Sequence, residues 1–150
     1  RDDIETIHAA TDLLAEAKLS PELRNEALYY RAKAYTKQKA DKKAMEDYRE
    51  LAKDTRNSYG AEAKYQVAQS LYDAKEYAAA EKELLNYIEQ STPHAYWLAR
   101  SFILLSDVYH ATGKNLDARQ YLLSLQQNYQ GNDDIESMIE SRLSKLKVEN

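Results

Sequence analysis

The sequence predicts an all-α protein, an α-α superhelix of about three and a half helix–turn–helix repeats closed by a capping helix. Three observations lead there. Glycine (3) and proline (2) are scarce in 150 residues, too few to punctuate a many-stranded sheet. Alanine, leucine, glutamate and lysine dominate, which favours helix because none of them loses much rotamer freedom there. Finally, apolar and small residues recur along the chain in a pattern of fixed internal spacing.

Three segments superimpose: Leu28-x-x-Arg31-Ala32-x-x-Tyr35, Lys64-x-x-Val67-Ala68-x-x-Leu71 and Phe102-x-x-Leu105-Ser106-x-x-Tyr109. Twelve residues after each central small residue stands Ala44, Ala80 or Ala118. Each opens a second pattern, Ala44-x-x-x-Tyr48-x-x-Leu51, Ala80-x-x-x-Leu84-x-x-Tyr87 and Ala118-x-x-x-Leu122-x-x-Leu125. The second pattern also occurs once without a first half, as Ala10-x-x-x-Leu14-x-x-Ala17. Successive second patterns are 34, 36 and 38 residues apart, so length varies in the connections and not inside the units.

Helical spacing puts the named residues of each segment on one face. The expected helices are 2–18, 21–38, 41–54, 59–74, 77–90, 94–111, 115–128 and 133–147. Ser20-Pro21 and Thr92-Pro93 mark helix starts, since a hydroxyl can cap and proline fits the first turn. Gly113, in the turn "ATGKN", suits a left-handed C-cap. Within a single domain, 1–19 is the second helix of a truncated repeat, 21–56, 57–92 and 93–130 are full repeats, and 132–148 is a cap. The cap carries an apolar stripe (Ile135, Met138, Ile139, Leu143, Leu146) opposite Ser137, Glu140, Ser141 and Lys145. The unpaired opening half suggests further repeats upstream, in a longer protein. At the recurring alanines a small side chain is required for close approach, whereas Ala78 and Ala79 have no counterparts and read as filler.

The quoted pattern resembles the tetratricopeptide repeat over roughly residues 4–130. Leu28, Lys64 and Phe102 stand where that family usually has a leading aromatic, Arg31 replaces an apolar residue, and a closing proline occurs only near Pro21 and Pro93. The stretch "RNSYGAEAKYQVAQSLYDAKEYAAAEKEL" is similar to repeats of bacterial cell-envelope proteins, the BamD-type and YbgF-type families and large repeat proteins of Bacteroidetes. Localisation stays open, the resemblance leaning to the bacterial periplasm or cell envelope over the cytoplasm.

The resemblance implies a non-catalytic scaffold whose concave groove binds a protein or peptide partner. The groove would be Glu26, Tyr29 and Lys33 with Thr36, then Glu62, Tyr65, Gln69 and Tyr72, then Arg100, Ile103, Asp107 and His110. Thirteen tyrosines are many for this length; Tyr35, Tyr48, Tyr87 and Tyr109 fall on packing positions, and Tyr29, Tyr65 and Tyr72 on the groove side, where tyrosine serves as an anchor. A carboxylate clamp of the chaperone-tail type is disfavoured, because only Lys33 suits it. The alternative is an architectural module that self-associates into a homo-oligomer without a peptide ligand.

Other classes find little support. The net charge is −4, and residues 1–60 carry 12 basic and 12 acidic side chains, with no basic stripe for nucleic acid. The apolar stretch Phe102–Leu105 is far short of a membrane span. Cysteine is absent, and His8, His94 and His110 lie apart without metal-ligand spacing, so neither a metal, a cofactor nor a catalytic set is expected. Asp107 and His110 read as a solvated pair on the groove wall and Asp133-Asp134 as a helix cap. Lys37, Lys39, Lys42 and Lys43 read as a solvated turn, with an anionic partner as the sharper possibility.

Overall fold

In the computed structural model, residues 2–90 and 92–148 are described, apart from the side chains of 147 and 148. They form α1 (Asp3–Leu14), α2 (Pro21–Lys37), α3 (Asp41–Leu51), α4 (Ser58–Asp73), α5 (Tyr77–Glu89), α6 (Ala95–Ala111), α7 (Asn115–Asn128) and α8 (Ile135–Val148), with no strand among the described residues. The all-α repeat class follows. Two compact units divide within α4, one up to Val67 and one from Ala68 onward.

Boundaries differ from the spacing at a few places. α1 stops at Leu14, capped by Ala15, and does not continue to residue 18. At the start of α2, Ser20 Oγ accepts from Leu23 N (3.2 Å) with Pro21 in the first turn, as expected. Thr92-Pro93 instead precedes its helix: Thr92 Oγ1 accepts from His94 N (3.3 Å) and α6 begins at Ala95. Asp133 caps α8, its Oδ1 accepting from Ile135 N at 3.0 Å.

The turns inside the three units share one geometry. In each, the N–H of the last turn residue reaches back to the same carbonyl: Ala40 N to Tyr35 O (2.9 Å), Glu76 N to Leu71 O (2.9 Å), Lys114 N to Tyr109 O (2.8 Å). The preceding residue bonds the next carbonyl along, completing a Schellman cap whose C′ position needs a left-handed backbone. That position is Lys39 (φ 58°), Lys75 (φ 62°) and Gly113 (φ 81°). Two lysines therefore carry the strain that glycine relieves in the third turn. The lysines at "KQKAD" thus include a structural turn residue.

In the first unit, α2 packs on both α1 and α3, burying Ala10, Leu28, Ala32, Ala44, Tyr48 and Leu51. In the second, α6 packs on α5, α7 and α8, around Leu84, Leu105, Val108, Leu122, Ile135 and Ile139. Burying each such aliphatic side chain is worth about 1.5–3 kcal/mol. α8 turns Ile135, Ile139 and Leu146 inward and leaves Ser137, Glu140, Ser141 and Lys145 exposed, which is the amphipathic arrangement of a cap.

Every recurring small residue is buried: Ala32, Ala44, Ala68, Ala80, Ala118 and Ser106. Direct contact between the 12-residue partners is visible at Ser106, whose Oγ donates to Ala118 O at 3.0 Å and so joins α6 to α7. Ala78 and Ala79, by contrast, are exposed. Ala80→Leu is therefore expected to lower stability by about 1–3 kcal/mol through overpacking, and Ala79→Leu to change it by less than about 0.5. Urea titrations of the two variants check this; equal midpoints would refute the distinction.

Several tyrosine hydroxyls are held protonated by the fold. Burial, followed by donation to Glu81 Oε2 (2.8 Å), pushes the Tyr109 hydroxyl well above its ordinary range. Tyr129 is pushed up to about 12 by burial and by its bond to the Asp133 carboxylate. A raised folded-state pKa means that the native state holds its proton more tightly than the unfolded chain. The associated stability is complete below about pH 10, the unfolded value, and is lost as pH rises toward 12. Denaturant unfolding measured between about pH 9 and pH 12 should show a steep decline, flattened in Tyr109→Phe and Tyr129→Phe. Stability that stays level through this range would contradict it.

Candidate functional site

The expected groove residues fall in both units, and each unit is described by itself. In the first, Tyr29, Lys33 and Glu62 come together and satisfy one another. Tyr29 Oη donates to Glu62 Oε1 (2.9 Å), Lys33 Nζ lies 3.7 Å from Glu62 Oε2, and the same ammonium sits 4.9 Å from the Tyr29 ring centroid. Tyr29 also packs against the Tyr59 ring at 4.7 Å. Burial raises the Tyr29 pKa, and hydrogen bonding to Tyr29 raises that of Lys33. This set ties α2 to the start of α4. Glu26 and Thr36 are exposed, Thr36 bonding back to Ala32 O at 3.0 Å.

Two assignments need correction. Tyr65 (6% exposed) and Ile103 (1%) are buried and do not line an open surface. Both lie on first helices covered on more than one side: α4 also buries Ala61, Ala63, Val67 and Ala68, and α6 buries most of Ala99–Tyr109. Spacing identified one packed stripe and left the remaining face to the groove, but a helix flanked by several neighbours has less free face than one stripe leaves.

In the second unit, Gln69, Tyr72, Asp107 and His110 line a common hollow of about 430 Å³ with Ser106 and, from α8, Ser141, Arg142, Lys145 and Leu146. Arg142 donates from Nε and Nη2 to the two carboxylate oxygens of Asp107, 3.2 Å each. His110 Nδ1 lies 3.1 Å from Asn115 Oδ1. Gln69 Nε2 donates to Asp73 Oδ1 (2.9 Å). Tyr72 meets the edge of Tyr77 at 5.6 Å, and burial raises its pKa, with Asp107 adding to the effect.

Arg100 takes a different place. Its guanidinium stacks over Tyr96 (5.7 Å) and Trp97 (5.9 Å) and donates to Tyr96 Oη (2.9 Å), which in turn donates to Asp134 Oδ1 (3.0 Å). Trp97 is thus stacked beside Tyr96 and Arg100.

Arg142 and Lys145 were missed as site residues. Lys145 was visible only as the polar back of a cap, and nothing in the spacing says that α8 turns one edge toward α6. The Lys33–Glu62 and Asp107–Arg142 pairs use the same repeat position, since Lys33, Gln69 and Asp107 align, with the signs reversed.

Among the described residues, no three histidine, cysteine or acidic side chains gather as a metal set, and no helix is long and apolar enough to cross a membrane. The chain matches no protein-family model, no curated protein and no solved structure.

Proposed function

We propose that the chain is a non-catalytic protein–protein interaction module of the tetratricopeptide-repeat kind, binding a segment of a partner protein. The observation that carries this reading is the hollow of the second unit, where Tyr72, Gln69 and His110 meet Arg142 and Lys145 on preformed helices. Rigid helices position these groups before binding, so few rotamers are lost on association. Arg142 is oriented by Asp107. Lys145 then supplies the attraction for an acidic group on the partner segment, while Tyr72 offers a large ring and a polar tip.

The test compares the protein captured by immobilised wild type with that captured by Tyr72→Ala and Lys145→Glu, using Lys82→Glu on α5 as the control. Tyr72→Ala is expected to weaken the interaction by about 1–2 kcal/mol, the scale of an interface anchor, with an unchanged helical melt. Lys145→Glu should abolish capture of the same protein, and Lys82→Glu should retain it. Equal capture by all four proteins would overturn the reading.

A further inference from the structure

The first unit carries an open hollow of about 500 Å³ on the other side of α2, lined by Thr6, Ala9, Ala10 and Leu13 of α1 and by Leu23, Glu26, Ala27 and Tyr30 of α2. Its rim is partly apolar, with Leu23 46% and Tyr30 49% exposed. Internal repetition says what such a surface receives. One unit further on, the equivalents of Ala9, Leu13, Leu23 and Glu26 are Lys43, Asp47, Tyr59 and Glu62. All four are engaged by α2: Lys43 over the Tyr35 ring, Asp47 by Arg31, Tyr59 by Tyr29, and Glu62 by Tyr29 and Lys33. The hollow is thus the same seat one repeat earlier, with no helix of the described residues in it.

The differences between the two seats define the occupant. Glu26 repeats Glu62, so it calls for a lysine, with a tyrosine four residues before it, as Lys33 and Tyr29 provide. Leu13 replaces Asp47, so the arginine that meets Asp47 must become aliphatic. Ala10 repeats Ala44, which is fully buried, as is the small Ala32 of α2. We propose that this hollow binds an amphipathic α-helix of a partner polypeptide with the pattern tyrosine-x-aliphatic-alanine-lysine. The aliphatic residue packs on Leu13, and the lysine pairs with Glu26. This surface is separate from the hollow that carries the functional reading above, and its test is independent of it.

The probe is a synthetic peptide spanning residues 20–38 with Arg31→Leu, titrated by calorimetry into the full chain. Saturable one-to-one binding is expected, weakened at least about tenfold by Lys33→Glu in the peptide or by Glu26→Lys in the protein, and restored when the two changes are combined. A second exchange keeps the test independent of that pair. Leu13→Asp in the protein should reject the leucine peptide and accept the unmodified Arg31 peptide, as Asp47 accepts Arg31; circular dichroism confirms that the variants fold. Absence of saturable binding, or binding indifferent to both exchanges, would overturn the proposal. So would sedimentation showing a dimer of the chain that Leu13→Asp dissociates and the peptide does not displace.

Discussion

Asp47→Ala is expected to lower folding stability by about 3 kcal/mol. Asp47 is only 5% exposed. Its two carboxylate oxygens accept from Arg31 Nε (2.8 Å) and Nη2 (2.7 Å), a bidentate fork. Arg31 Nη1 also donates to Thr11 Oγ1 at 3.1 Å, so one guanidinium links α1, α2 and α3. Hydrogen bonding to Asp47 raises the arginine pKa further, which keeps the guanidinium charged at any working pH. Truncating the acid strands that charge between packed helices, and the cost is the desolvation of an unpaired ion and not merely a lost contact.

The double variant Arg31→Val with Asp47→Leu should recover most of the loss, ending within about 1 kcal/mol of wild type. The chain itself supplies the precedent. Val67 and Leu105 occupy the Arg31 position in the other units, and Leu13 occupies the Asp47 position in the opening half-unit. A double-mutant cycle by urea unfolding gives the coupling. Additive losses in the double variant would show that the pair is not what holds α2 to α3.

Gly60→Ala comes second, with an expected loss of about 3 kcal/mol, the upper end of overpacking costs. A Cβ at this position would lie 1.8 Å from Asp54 O and 2.8 Å from Leu51 O. Both are backbone atoms, one in the last residue of α3 and one in the turn that follows it, so no rotamer change can relieve the clash. Asn57 locks the same corner: its Nδ2 donates to Asp54 O (3.0 Å), and its Oδ1 accepts from Gly60 N (2.9 Å). The roughly 1 kcal/mol that alanine gains over glycine in a helix is too small to compensate. Gly113 is the contrast: a Cβ there meets nothing within 4 Å, and only its φ of +81° opposes substitution. Thermal melts should therefore place Gly113→Ala well above Gly60→Ala. The reverse order would mean that the α3–α4 corner relaxes freely.

How much of this was legible beforehand differs from residue to residue. The buried alanines could be read because a 12-residue offset recurs three times, and chance does not repeat a small residue at matched positions. Gly113 could be read because glycine advertises a left-handed turn, but Lys39 and Lys75 adopt the same backbone and carry no such mark. Gly60 passed as an ordinary residue of a helix start, since nothing local shows that another backbone lies against it. Arg31 looked like drift from an apolar pattern, because its partner lies 16 residues away on the next helix.

The sequence by itself determined the helical class, the unit length and the small-residue contacts, because these depend on spacing along one chain. The tertiary structure decided which of the remaining faces are open. It buried Tyr65 and Ile103, brought Arg142 to Asp107, and left the seat on α1 and α2 exposed. Periodicity states which side chains share a face, but the number of neighbours covering that face depends on packing between helices distant in the chain.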